Sequence, residues 1–376
     1  MATSTSPSSR GTPSRLAPSR RQAPPRPFGG GEAPRRPMAA GNVLVVGIVC
    51  LMLGWLLNAQ GIEKTAYGQP IGFQRDVAVF FSKPMASISH FLHTDRPREW
   101  VQGALGHEGD DDINTKLPSP TTGAVVPTTD PRNVVYSPQR PLKLWVGGDS
   151  LSVTPGESIV NYAGTTEGVV APTGPVDGQI ATGLARPELL NWPEHLREAT
   201  KDSGAGLVIL TIGSNDDQTL TGAPGGGDVG PFGSPEWEEE YRRRVGGLMD
   251  DVVGEGKTLL WIGTPPLRNF ERSETRYKLI NDIYRTEAAK RPGRVYYIDI
   301  YKLFLDDTGN YADYLPNING EAVKVRADDG IHFTRAGADR VAAVVFDKLS
   351  KVRDITSWKK NQPNQTTTTA PARAVP

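Results

Sequence analysis

Four short runs of almost continuously apolar, β-prone residues constrain this chain more than any other feature: 144–146, 207–212, 259–262 and 295–300. A strand with one wet face alternates apolar and polar residues; a run without alternation has both faces covered. Longer segments with helical spacing lie at 237–253, 275–289 and 335–352. Strands that alternate with helices pair in parallel, because each crossover returns the chain to the same end of the sheet. An α/β domain is therefore expected over residues 139–353, with a mostly parallel sheet and helices on both faces. No repeat at solenoid or propeller spacing competes with it.

The ends lie outside that domain. Residues 1–38 are rich in Ser, Pro, Arg and Gly and almost free of large apolar side chains. They cannot bury enough surface to offset their ordering entropy, so a disordered basic tail is expected. Residues 354–376, with threonines at 366–369, read the same way. Residues 39–57 are apolar and uncharged, and about 20 such residues suffice for one transmembrane helix. Arg10, Arg15, Arg20, Arg21, Arg26, Arg35 and Arg36 precede them, opposed only by Glu32. That bias predicts a single-pass membrane protein with a cytoplasmic N-terminus and an extracytoplasmic remainder. A cleaved signal peptide is the rival; the long basic segment and the lack of a clear small-x-small site after Leu57 stand against it.

Residues 58–106 read as an amphipathic stalk, with apolar side chains at roughly helical spacing interrupted at Pro84 and Pro97. Two roles remain open for it: contact with the bilayer or a partner, or packing on the main domain. His90 and His93 have no nearby ligand set for a metal. Residues 107–138, acidic at 110–112 and then Thr/Pro-rich, read as a linker. Lys plus Arg and Asp plus Glu both number 42, and the basic N-terminal tail is balanced by a mildly acidic remainder. The outer domain thus offers no case for nucleic-acid binding. The only cysteine, Cys50, lies in the apolar span, so the outer domain has neither disulfides nor thiol chemistry.

The first run ends in Gly147-Gly148-Asp149-Ser150-Leu151. Glycines permit a sharp turn that delivers Ser150 at a strand end. A serine hydroxyl is a weak nucleophile until a base takes its proton. The domain offers His195 and His332. His195 reads as a solvated residue on an exposed helix face. His332 follows Asp329 by three residues with Gly330 between, so that carboxylate can orient the imidazole. Asp328 competes for this role, and spacing does not exclude it. Asn215, in Gly213-Ser214-Asn215-Asp216, follows the second run and can donate its amide to a developing oxyanion. Its alternative is an Asx turn. Ligands of open parallel sheets bind beyond the carboxyl ends of the strands, where these residues are expected to meet.

These segments resemble the SGNH (GDSL-type) esterase and lipase superfamily, in particular its bacterial membrane-anchored members. The resembling blocks are Gly148-Asp149-Ser150-Leu151, Gly213-Ser214-Asn215-Asp216 and Asp329-Gly330-Ile331-His332. A looser block is Ala181-Thr182-Gly183-Leu184-Ala185-Arg186-Pro187. The resemblance covers about residues 140–353 and includes Trp261-Ile262-Gly263-Thr264-Pro265-Pro266. It implies a three-layer α/β/α sandwich of SGNH/flavodoxin-like form, with Ser150 as nucleophile, His332 as base and Asp329 as its orienting acid. It also implies an oxyanion hole made of the Ser150 and Gly183 backbone amides and the Asn215 side chain. No cofactor or metal is required. There is no Gly-x-Ser-x-Gly elbow. The expected activity is hydrolysis of O-acyl, chiefly O-acetyl, esters of envelope carbohydrates. Rivals are O-acyl transfer to a glycan, a lipid esterase if Phe80, Phe81 and Phe91 hold the site against the bilayer, and a non-catalytic scaffold.

Overall fold

The computed structural model describes residues 40–69, 73–105, 134–223 and 227–361. The tail expected at 1–38, linker residues 107–133 and tail residues 362–376 lie outside the described residues. The chain divides into two units, residues 1–53 and 54–376. In the first, the described residues belong to α1 (Ala40–Leu57), which carries no charge and exposes Val43, Leu44, Val45 and Leu51 among others. No single helix among the described residues is long and apolar enough to cross a membrane. The bent pair Gly41–Leu57 and Ala59–Gly68 passes that test by length and composition.

The second unit continues through α2 (Ala59–Gly68), α3 (Phe73–Leu92) and α4 (Arg96–Leu105). Two expectations change here. Pro84 lies inside α3 and does not interrupt it, because packing against α2 outweighs the one hydrogen bond that proline forfeits. Pro97 is the second residue of α4, where its missing N–H is not needed. The face of α3 that packs is the polar one: Ser82, Ala86 and Ser89 are buried, while Phe73, Phe80, Phe81, Ile88, Phe91 and Leu92 are exposed. The helices are also tied to the main domain. Arg75 pairs with Glu188 at 3.2 Å, and Arg186 donates to the carbonyls of Gln69, at 3.1 Å, and Tyr67.

The main domain begins with β1 (Leu142–Gly148), α5 (Val153–Ala163), β2 (Val170–Pro172), β3 (Asp177–Gly178), α6 (Trp192–Lys201) and β4 (Leu207–Thr211). It continues through α7 (Pro235–Gly254), β5 (Thr258–Ile262), α8 (Phe270–Arg272), a π-helical turn (Ser273–Tyr277), α9 (Lys278–Ala289) and β6 (Val295–Ile298). A hairpin, β7 (Tyr314–Pro316) with β8 (Ala322–Lys324), and α10 (Arg335–Val352) complete it. The sheet order is β2-β1-β4-β5-β6, with β3 also on β1, and every pairing in it is parallel.

Burial explains the uninterrupted apolar runs. On β4, Val208 and Leu210 face a core completed by α6, α7 and α9, while Leu207 and Ile209 face one completed by α5 and α10. β5 divides likewise, with Leu259 and Trp261 on one side and Leu260 and Ile262 on the other. Each fully buried large aliphatic contributes roughly 1.5–3 kcal/mol, so both faces resist a one-residue register slip. The chain leaves β1 toward β2 on one side and returns to β4 on the other, creating a crevice at their carboxyl ends.

The expected domain ends also shift. The Tyr136 amide donates to the Asp354 carbonyl at 2.9 Å, Ser357–Asn361 forms a 3₁₀ turn, and Trp358 is buried. Residues 134–138 and 354–361 therefore pack with the domain rather than forming linker and disordered tail; the Trp358 side chain supplies the apolar burial that a tail would lack.

Candidate active site

Ser150 starts a 3₁₀ turn, Ser150–Ser152, between β1 and α5. Gly148 makes the approach possible. Its φ is +144°, and a Cβ there would lie 1.7 Å from the Thr211 carbonyl oxygen on β4. The neighbouring Asp149 is fully buried and joins two distant loops. Its Oδ1 accepts from the Leu151 amide at 2.9 Å. Its Oδ2 accepts from the Gly213 and Ser214 amides at 3.0 and 2.9 Å and from Ser214 Oγ at 2.7 Å. Burial pushes the Asp149 carboxyl up to about 6, against the opposing pull of the Ser214 hydrogen bonds.

A second buried carboxylate repeats the device one loop further. Asp216 accepts from the Leu184 and Ala185 amides at 3.0 and 2.8 Å and from the Tyr241 hydroxyl at 2.7 Å. It leaves the Gly183 amide out of this set. A Cβ on Gly183 would lie 2.0 Å from Asp216 Oδ1, so glycine alone fits this close approach. Burial raises the Asp216 carboxyl, with the Tyr241 hydroxyl and the two amides working against it. Between these anchors, Asn215 Nδ2 donates to the Thr182 carbonyl at 2.9 Å. One N–H of that amide thus positions it beside Gly183, and the amide carries a second.

Asp329, Gly330 and His332 lie in the turn before α10. Gly330 has φ +69°, and a Cβ there would meet the Arg268 side chain at 2.5 Å. Asp329 Oδ1 accepts from the Ile331 and His332 amides at 2.8 and 2.9 Å, and Oδ2 lies 2.6 Å from His332 Nδ1. His332 Nε2 lies 2.9 Å from Ser150 Oγ. A carboxylate accepts, so Nδ1 carries the imidazole proton and Nε2 is left to accept the serine hydroxyl. Desolvation opposes ionisation of Asp329, but the bonds from His332 and Ile331 together outweigh it and hold the carboxyl at about 2. Asp328 points elsewhere: it is 94% exposed and paired with Lys324. The spacing that admitted both aspartates is thus resolved toward Asp329.

Below this turn, the fully buried Arg326 guanidinium lies 4.6 Å from the Phe333 ring and donates to the Ile331 carbonyl. Burial lowers it to about 10. His195 is not the solvated histidine expected. Its Nε2 lies 2.9 Å from Asp177 Oδ2, and both side chains are largely covered, because β3 brings Asp177 to the edge beside α6.

The structure thus gathers Ser150, Asp329 and His332 into one relay and sets Asn215 beside Gly183. Asp149, Asp216 and Arg326, which hold these groups, carry no role that the sequence alone assigned. The aspartates stand within the GDS and GSND blocks; most of their buried partners are backbone amides, which no residue pattern displays. A cavity of about 690 Å³ opens at Asn215, and among the described residues every side chain lining it is polar or charged.

Residues 143–348 match a family described as "Protein of unknown function (DUF459)". No curated protein matches. Solved structures similar to this chain include a GDSL-like lipase from Bacteroides thetaiotaomicron VPI-5482, at TM-score 0.36 and 13% identity, covering 58% of this chain and 92% of that one. The periplasmic domain of a lipopolysaccharide acetyltransferase from Salmonella ser. Paratyphi A matches at TM-score 0.38 and 14% identity, covering 56% and 84%. A carbohydrate esterase family 3 protein from Talaromyces cellulolyticus matches at TM-score 0.38 and 14% identity, covering 56% and 97%.

Proposed function

The chain belongs to the DUF459 family, which is SGNH-like, and from that premise we propose a membrane-anchored, extracytoplasmic serine esterase that removes short O-acyl groups, chiefly O-acetyl, from envelope carbohydrates. The observation that carries the proposal is the continuous relay from Asp329 through His332 to Ser150, at 2.6 and 2.9 Å. Ser150 Oγ attacks the ester carbonyl carbon while His332 Nε2 takes its proton. The developing oxyanion is held by the Ser150 and Gly183 amides and the free N–H of Asn215. Collapse breaks the C–O bond, and the leaving alkoxide takes the proton from His332. Water then attacks the acyl-serine, giving its proton to His332, and the carboxylic acid leaves as Ser150 regains its hydrogen. Asp329 keeps Nδ1 protonated throughout and stabilises the imidazolium.

The polar cavity at Asn215 favours a hydrophilic alcohol over a lipid tail. Anchoring by α1 rests on its uncharged composition and on the arginines before it. The exposed apolar stripe of α3 fits a bilayer surface.

Full-length protein in detergent, assayed on 4-nitrophenyl acetate and octanoate, tests the reaction. Preference for acetate, lost in Ser150→Ala, is expected. Absence of wild-type turnover, or undiminished turnover in that variant, contradicts the proposal. Free acetate released from an acetylated oligosaccharide supports hydrolysis; movement of acetyl to an added glycan instead identifies a transferase.

A further inference from the structure

The cavity at Asn215 has one wall that the esterase chemistry does not use. α8, the π-helical turn Ser273–Tyr277 and α9 follow one another without a break. A π turn widens the helix and is frequent at functional sites. Here the turn presents Thr275 and Arg276 to the cavity, beside Arg272 at the end of α8. Asp217, 6% exposed at its side chain, is bound at both oxygens by Arg272: Nε donates to Oδ2 at 2.6 Å and Nη2 to Oδ1. Arg276 is held differently. Its Nη1 donates to the Asp217 backbone carbonyl at 2.7 Å, while the carboxylate stays at 3.8 Å, beyond hydrogen-bond reach. Its guanidinium carbon lies 5.0 Å from the centre of the Phe232 ring. That cation–π contact steadies a cation that, among the described residues, has Asp217 as an ion-pair neighbour but no hydrogen-bonded carboxylate. Its side chain is 44% exposed. Glu271 also lines the cavity, with its side chain at the exposed rim.

We propose that Arg276, steadied by Asp217 and Phe232, is a subsite for an oxyanion carried by the alcohol part of the ester. The substrate is then an acidic glycan, with a carboxylate or phosphate group near the acylated hydroxyl. A guanidinium presents paired donors that match either group. The inference rests on the esterase function and narrows its substrate class. Glu271 opposes the same anion from the rim, so its charge moderates the preference.

The test compares kcat/KM of the full-length protein for 4-acetoxybenzoate, 4-acetoxyphenyl phosphate and the neutral 4-acetoxybenzamide, each corrected for its alkaline hydrolysis rate. Wild-type protein should prefer an anionic ester by about tenfold, the scale of one partly exposed charged contact, and the preference should shrink with added salt. The better of the two anionic esters identifies carboxylate or phosphate. Arg276→Gln should bring the ratio to about one, and Glu271→Gln should raise it. Lys351→Gln, a surface charge change on α10, should leave the ratio alone. Equal rates for all three esters in wild type, or a preference that survives Arg276→Gln, overturn the subsite while leaving the esterase intact. No turnover of any ester, with no labelling of Ser150 by a fluorophosphonate, overturns the esterase and the subsite together.

Discussion

Asp329→Asn separates an orienting carboxylate from a mere turn cap. The wild-type side chain does both jobs: Oδ1 caps the Ile331 and His332 amides, and Oδ2 faces His332 Nδ1 at 2.6 Å. Asparagine offers one oxygen and one NH₂ in the same space. With the oxygen on the two backbone amides, the NH₂ must face Nδ1 and donate to it. The imidazole proton then moves to Nε2, 2.9 Å from Ser150 Oγ, and His332 cannot accept the serine proton. A wrong-tautomer substitution of this kind lowers kcat by about 10⁴ in a serine protease, or roughly 5 kcal/mol of barrier. The caps survive, so the melting temperature should change little. Asp328→Asn supplies the comparison: that residue is 94% exposed, and such surface changes stay within about 0.5 kcal/mol. Turnover of 4-nitrophenyl acetate and thermal unfolding are to be measured on the same preparations. Equal, modest losses in both variants refute the reasoning, as does an Asp329→Asn loss that merely follows unfolding.

Three further outcomes follow from the loops. Asn215→Ala should lower kcat by about 10²–10³ with little change in KM; a lower melting temperature with wild-type turnover assigns Asn215 to the turn through Thr182 alone. Gly183→Ala places a methyl where Asp216 Oδ1 lies. It should displace that carboxylate from Leu184, Ala185 and Tyr241, lowering unfolding free energy by about 4 kcal/mol or more; a near-native urea midpoint contradicts this. Asp149 gives a pH signature. Its folded carboxyl, at about 6, stands above its ordinary 3.8. Its contribution to stability is therefore complete below 3.8 and is lost as pH rises through about 6, by on the order of 3 kcal/mol. Urea unfolding at pH 4 to 8 should show that decline in wild type and a shallower one in Asp149→Asn; identical slopes refute it.

The strand runs were legible because burial on both faces leaves no alternation, and β1, β4, β5 and β6 all grow from them. β2, β3, β7 and β8 span only two or three residues each, too short to leave a periodic signal. The chemical residues Ser150, Asn215, Asp329 and His332 announced themselves by type and by position after a strand or before a helix. Asp149 and Asp216 did not, since most of their partners are backbone amides of remote loops, and their side-chain partners Ser214 and Tyr241 join them only through the fold. The choice between Asp328 and Asp329 turned on side-chain direction, which spacing leaves open. His195 looked solvated because Asp177 joins it through tertiary packing, 18 residues away. Pro84 looked like a break because local propensity omits the packing of α3 against α2, with Ser82, Ala86 and Ser89 buried.

The central claim is that Ser150 is a nucleophile activated by His332. Peptide mapping of full-length protein treated with a fluorophosphonate tests it most directly. The relay predicts one label per chain, on Ser150, absent from Ser150→Ala and strongly slowed in His332→Ala. Labelling at Ser152 or Ser158, or labelling of Ser150 at an unchanged rate in His332→Ala, would contradict it.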